Sequence, residues 1–159
     1  MFKEKDKNRL DKGKLKKALK GLTIVKGDEV KLGKLREGKD VVIDGKKIKS
    51  KELVYLQKGK KVSFIFDTGL CVGAEKLAKD SDLAVIESTY SDDESELARK
   101  YKHLTTSMAA NIAKKAKAKE LVLTHISQRF EYKEKKLLKE AKKVFEDVIV
   151  PEDLDSIEL

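Results

Sequence analysis

The chain holds one cysteine, Cys71, among 159 residues, so no disulfide can form within it. A thiol economy of this kind suits a reducing compartment. The expected place for Cys71 is the interior, as a small hydrophobe. Proline occurs once, at Pro151, and histidine twice, at His103 and His125. No apolar run approaches the ~18 residues that a membrane span requires, and the amino terminus is too polar for a secretory signal. A soluble cytoplasmic protein without membrane contact is therefore expected.

What is abundant is charge. Asp, Glu, Lys and Arg make up 41% of the chain and the formal net charge is +9, against about a quarter charged residues in an average domain. The excess is uneven. Residues 1–61 carry 21 Lys and Arg against 9 Asp and Glu, whereas residues 62–159 carry 16 against 19. A strongly basic segment beside a mildly acidic one points to a polyanionic partner for the first, with a solvated lysine-rich surface as the plainer alternative.

Pattern divides the chain at the same place. Leu15, Ala18, Leu19 and Leu22 have helical spacing, with Gly21 positioned to end the helix. Val41 to Ile43, Asp44-Gly45 and Lys46 to Ile48 read as a hairpin. The rest of residues 1–60 is glycine-punctuated and too charged to suggest a core, so an extended basic arm with a small β element is expected. From Lys61 onward the character changes. Apolar runs at 62–66, 83–86, 121–123 and 148–150 alternate with helical segments near 73–80, 93–102, 105–117 and 133–145, with Thr105 or Thr106 as a cap and a last short strand at 156–159. This alternation is that of an α/β layer fold.

Three of these strands stop at a polar residue: Asp67, Glu87 and His125. In α/β sheets, ligands collect beyond the carboxyl ends of the strands. Histidine is the common zinc ligand and the common proton carrier near neutral pH, and an aspartate can bridge two metal ions. Each residue also has a plain reading: Asp67 as a helix cap, Glu87 as a loop carboxylate, His103 as a helix-end residue, His125 as a core histidine. Spacing alone leaves both readings open.

A resemblance favours the first. Phe64-Ile65-Phe66-Asp67-Thr68, Ile86-Glu87-Ser88-Thr89-Tyr90, Tyr101-Lys102-His103-Leu104-Thr105-Thr106 and the segment Leu121 to Arg129 are similar, in order and spacing, to four motif segments of the ribonuclease Z family. Ala141 to Leu154 fits that family's closing helix and strand. Phe2 to Asp6, Gly33-Lys34-Leu35, Gly38 to Val41 and Asp44-Gly45 resemble its tRNA-gripping flexible arm. The resemblance implies the carboxy-terminal half of a metallo-β-lactamase (αββα) fold over residues 61–159, preceded by a basic extended arm over residues 1–60.

It implies roles as well. Asp67 would bridge two zinc ions (manganese being the other option) and His125 would ligate one of them. His103 would protonate the leaving oxygen, and Glu87 would orient His103. Lys3, Lys5, Lys7, Arg9, Lys12, Lys14, Lys34 and Arg36 would hold tRNA phosphates, which give salt-sensitive affinity without reading sequence. The implied activity is endonucleolytic removal of the 3′ trailer of precursor tRNA, in a homodimer or hetero-assembly.

There are departures. The family's His-x-His-x-Asp-His motif and the ligand histidine after it are absent, so two histidines cannot build a dinuclear centre from this chain alone. A separate amino-terminal half carrying that motif is the implied partner. The arm's Gly-Pro element is missing, and the arm departs from pattern between Gly21 and Lys31. Ile86 replaces a histidine, Gly69 stands where arginine is common, and Leu104 replaces a serine. A second function stays open, that of a catalytically inactive tRNA-binding module built on the basic arm.

Overall fold

A computed structural model describes all 159 residues. Along the chain run β1 (Phe2–Lys3), β2 (Lys7–Leu10), α1 (Lys12–Ala18), α2 (Asp28–Arg36), β3 (Val41–Ile43), β4 (Lys46–Ile48), α3 (Ser50–Leu53) and β5 (Val54–Gln57). They continue as β6 (Lys61–Ile65), α4 (Val72–Ala78), β7 (Leu83–Glu87), α5 (Ser95–Tyr101), α6 (Thr106–Lys115), β8 (Glu120–Thr124), α7 (Glu134–Lys142) and β9 (Val148–Ile149). The chain divides into two units, one of Met1–Glu4 with Lys60–Leu159 and one of Lys5–Gly59. No helix is long and apolar enough to cross a membrane.

The larger unit is built on a five-stranded sheet in the order β1-β6-β7-β8-β9. The four strands from β6 to β9 are parallel, and β1 closes one edge antiparallel to β6. Parallel neighbours need crossover helices, and each crossover here includes one. Strand register puts Ile65, Ile86 and Leu123 side by side. With Ala84 and Leu121 they meet a helix surface made almost entirely of alanines: Ala74, Ala78, Ala109, Ala110 and Ala113, with Ile112. Small residues let the helices lie close to the sheet. The opposite sheet face differs: Phe64 and Phe66 are about half exposed and Phe2 is 61% exposed.

The smaller unit is not the coreless arm expected from its charge. Leu35, Val41, Ile43, Ile48 and Leu53 are buried together, with Leu10, Leu15, Leu19 and Leu32 half-buried around them. A helix, α2, occupies residues where the sequence suggested only glycine punctuation. Its glycine, Gly33, faces open space, and Leu32 and Leu35 supply its anchors. The hairpin β3–β4 forms as expected. Asp44 and Gly45 both take positive φ, at 48° and 72°, which is the turn that matches strand twist. β2 and β5 pair across nearly fifty residues, a pairing that local pattern cannot reveal. Ser50 ties the pieces together by donating its hydroxyl to the Leu35 carbonyl at 2.8 Å.

Three further expectations need correction. Lys3, grouped with the basic segment by sequence, belongs to the larger unit. Cys71 is exposed rather than buried; it precedes α4 and its thiol lies 3.6 Å from the Thr68 hydroxyl. Residues 156–159 form no strand.

Candidate metal centre

The three strand ends deliver their polar residues to one place. Parallel register aligns β6, β7 and β8, so the turns after Ile65, Glu87 and Thr124 open at the same end of the sheet. Asp67 and His125 both take left-handed backbone conformations there, with φ of 48° and 53°. Aspartate and histidine are among the non-glycine residues that tolerate this region best, but it still costs folding energy. His103 arrives by a different route. Lys102 ends α5 with φ of 59°, and the His103 amide donates back to the Ala98 carbonyl at 2.8 Å. A parallel bridge between Tyr90 and Thr105 then binds the His103 segment to the loop after β7. Thr105 caps α6 by accepting from the Met108 amide.

The result is a cluster in which donor atoms of Asp67, His103 and His125 all lie within 4.8 Å of one another. His125 Nε2 stands 3.7 Å from Asp67 Oδ1, and the two imidazole rings are 5.5 Å apart. Beneath them is Glu87, which is fully buried. Burial of a carboxylate is tolerable only when its oxygens are satisfied. Here Oε2 accepts from His103 Nδ1 at 2.8 Å and from the Thr89 hydroxyl at 2.9 Å. Oε1 accepts from the Thr68 amide. The base of the site is completed by Tyr90, whose ring lies 6.1 Å from that of His103 and carries the Arg129 guanidinium 5.3 Å from its centroid.

The donor set fits a divalent metal. It offers one carboxylate and two imidazoles, the oxygen and nitrogen donors that zinc and its neighbours accept. Asp67 is largely exposed and makes no hydrogen bond within the chain, so its oxygens are open to a ligand. Each histidine has Nδ1 engaged from below, by Glu87 or by Thr89, which leaves Nε2 to face the cluster. Fewer than four protein donors with further positions open is the composition of a catalytic rather than a closed structural site, and it leaves His103 available for a role other than ligation. Thr68 and Thr89 were not singled out by sequence reasoning. The available signal was position: in extended chain, residue i+2 faces the same side as residue i, and Thr89 is two past Glu87.

The eight basic residues picked out from the sequence are all exposed. Seven belong to the smaller unit, on β2, on α1, on α2 and at Lys5 just before β2. Arg9 donates Nε to Gln57 at 2.8 Å.

Among known proteins, ribonuclease Z of Sulfolobus acidocaldarius is 40% identical over 154 residues, which is 97% of this chain and 50% of that protein. Ribonuclease Z of Lactobacillus helveticus is 41% identical over 131 residues, 80% of this chain and 42% of that protein. The chain thus spans about half the length of the curated relatives it matches. No family model matches it. Among solved structures, the metallo-β-lactamase fold protein YhfI from Bacillus subtilis aligns with a TM-score of 0.52 at 26% identity, covering 61% of this chain and 39% of that one. That fold implies bound metal ions, and the cluster of Asp67, His103 and His125 is where this chain brings possible donors together. By sequence over four-fifths or more of its length and by the fold of its larger unit, the chain belongs to the ribonuclease Z family, of which it spans the carboxy-terminal half.

Proposed function

We propose that this chain is the carboxy-terminal part of a metal-dependent endoribonuclease that removes the 3′ trailer of precursor tRNA. The observation that carries the reading is the convergence of Asp67, His103 and His125 within 4.8 Å above a buried glutamate. Asp67 and His125 would hold zinc, or manganese in its place. The ions, when bound, supply Lewis-acid stabilisation of charge developing on the phosphoryl group. His103 serves as the proton donor. As an imidazolium it can hand the Nε2 proton to the leaving oxygen while Glu87 holds Nδ1 at 2.8 Å, which fixes the orientation of the ring.

The remaining metal ligands come from an amino-terminal half that this chain does not include. Two observations support that reading. The chain offers two histidines in all, and its sheet leaves Phe2, Phe64 and Phe66 substantially exposed on the face away from the helices. A second layer on that face would bury apolar surface worth about 25 cal/mol per Å². The smaller unit, Lys5–Gly59, would hold tRNA through Lys5, Lys7, Arg9, Lys12, Lys14, Lys34 and Arg36, with Lys3 beside it in sequence. Phosphate contacts of this kind are independent of base sequence.

The test is cleavage of a precursor tRNA, with zinc or manganese, by this chain alone and with a matching amino-terminal half. Activity in the mixture, lost on Asp67→Ala or His125→Ala, is the expected result. An inert mixture that still binds tRNA would replace the enzyme reading by that of a binding module.

A further inference from the structure

Glu87 serves His103 directly, yet a second group approaches the same oxygen. The Thr89 hydroxyl donates to Glu87 Oε2 at 2.9 Å and stands 3.2 Å from Nδ1 of His125. A threonine hydroxyl has one proton and two lone pairs. With the proton committed to Glu87, the hydroxyl meets His125 with a lone pair, so the proton in that contact must sit on His125 Nδ1. A neutral imidazole protonated at Nδ1 carries its free lone pair on Nε2. Nε2 is the nitrogen that lies 3.7 Å from Asp67 Oδ1. The direct separation of His125 Nδ1 from Glu87 Oε2 is 3.8 Å, too long for a hydrogen bond. The hydroxyl is therefore the link.

We propose that Thr89 is a positioning residue that holds His125 in its Nδ1-protonated form, so that one buried carboxylate, Glu87, sets the tautomer of both histidines. His103 is set by direct contact and His125 through the threonine. Loop geometry keeps the relay in register. The Ser88 amide donates to the Thr124 carbonyl at 2.8 Å, and the Ser127 amide donates to the Thr89 carbonyl at 3.3 Å, so the loops carrying Thr89 and His125 are joined on both sides of the relay. The purpose assigned to the free Nε2 lone pair, metal ligation, rests on the function proposed above. The tautomer itself is a property of the metal-free chain.

That separation makes the test clean. The chain has two histidines, so long-range proton–nitrogen spectra of the metal-free, nitrogen-15-labelled chain contain two imidazole systems, assigned by their loss in His103→Gln and His125→Gln. At about pH 8.5, where an ordinary imidazole is neutral, both rings are expected in the Nδ1-protonated form. Thr89→Val should shift His125 toward the Nε2-protonated form and leave His103 unchanged, and Thr89→Ser should restore the original pattern. Calorimetric zinc titration should show roughly 10- to 100-fold weaker binding for Thr89→Val, the usual cost of removing such a supporting group. A His125 proton on Nε2 in the unsubstituted chain overturns the proposal, with no variant needed. So does a His125 signal that Thr89→Val fails to move. The expected tautomers in a chain that takes up no zinc even when mixed with its amino-terminal half would uphold the relay and sink the metal reading instead.

Discussion

The two units bury their apolar residues by different means. In the larger one, near-continuous apolar strands lie side by side under alanine-rich helices, and sixteen residues form one buried cluster. In the smaller one, five buried residues from α2, two short strands and α3 hold together a surface rich in lysine. The large core leaves a rigid rim on which strained residues such as Asp67 and His125 can be mounted. The small core supports a charged surface and no converging side chains of the kind seen at the metal centre. The proposed division of chemistry and grip between the units follows from this, since the two ask for different amounts of buried scaffold.

The sharpest way to test that division is His103→Ala in the enzyme completed with its amino-terminal half. Cleavage should fall roughly 10²- to 10⁴-fold, the range for loss of a proton donor, while tRNA affinity stays unchanged in a filter-binding assay. A parallel loss of affinity would break the division. Next in size, Leu35→Ala should cost about 2–5 kcal/mol through the cavity it leaves. Hydrogen exchange should rise at amides of β3, β4 and α2 and stay slow in β7 and β8. Uniform loss of protection would show that the units do not melt separately. Replacing Lys12, Lys14, Lys34 and Arg36 together by alanine should reduce tRNA affinity at low salt. The log–log salt slope should become shallower by about 0.9 for each phosphate that is no longer neutralised; an unchanged slope would remove these residues from the interface.

The smallest effect concerns a pH dependence confined to the larger unit. Asp82 accepts from Lys119 Nζ at 2.7 Å and from the Lys61 amide at 2.8 Å. The Lys119 hydrogen bond leads in holding its carboxyl below the ordinary value of 3.8, against a burial effect in the other direction. A carboxylate with a depressed value in the folded state stabilises the fold above the unfolded value and loses that stabilisation as pH falls through the folded one. Denaturant titrations should therefore show a loss on acidification below about pH 4 that Asp82→Asn makes smaller, with a cost of about 1 kcal/mol near neutrality.

Much of the larger unit was legible in the sequence because its signals are local. An apolar strand that stops at a charged residue needs no distant information, and this marks Asp67, Glu87 and His125. The elements of the smaller unit were harder to read. α2 has Leu32 and Leu35 as its anchors amid lysines and glycines, and β2 is recognisable mainly through its pairing with β5. Cys71 was misplaced because burial statistics for cysteine say nothing about the turn before α4, where it stands exposed. Thr89 was overlooked because a hydroxyl has no sequence signature of its own; its meaning comes from lying between two groups, one two residues away and the other 36.

The left-handed backbones of Asp67 and His125 carry a consequence for engineering. Each such position costs on the order of 1 kcal/mol for a residue with a side chain, and glycine takes it without strain. On the proposed function these are also two positions that supply a carboxylate and an imidazole to a metal ion. A selection of variants for thermal tolerance alone is blind to that role and is expected to accept Asp67→Gly and His125→Gly, relieving backbone strain as it erases the candidate donors. Stability screens on this chain therefore need a metal-affinity readout beside the melting curve.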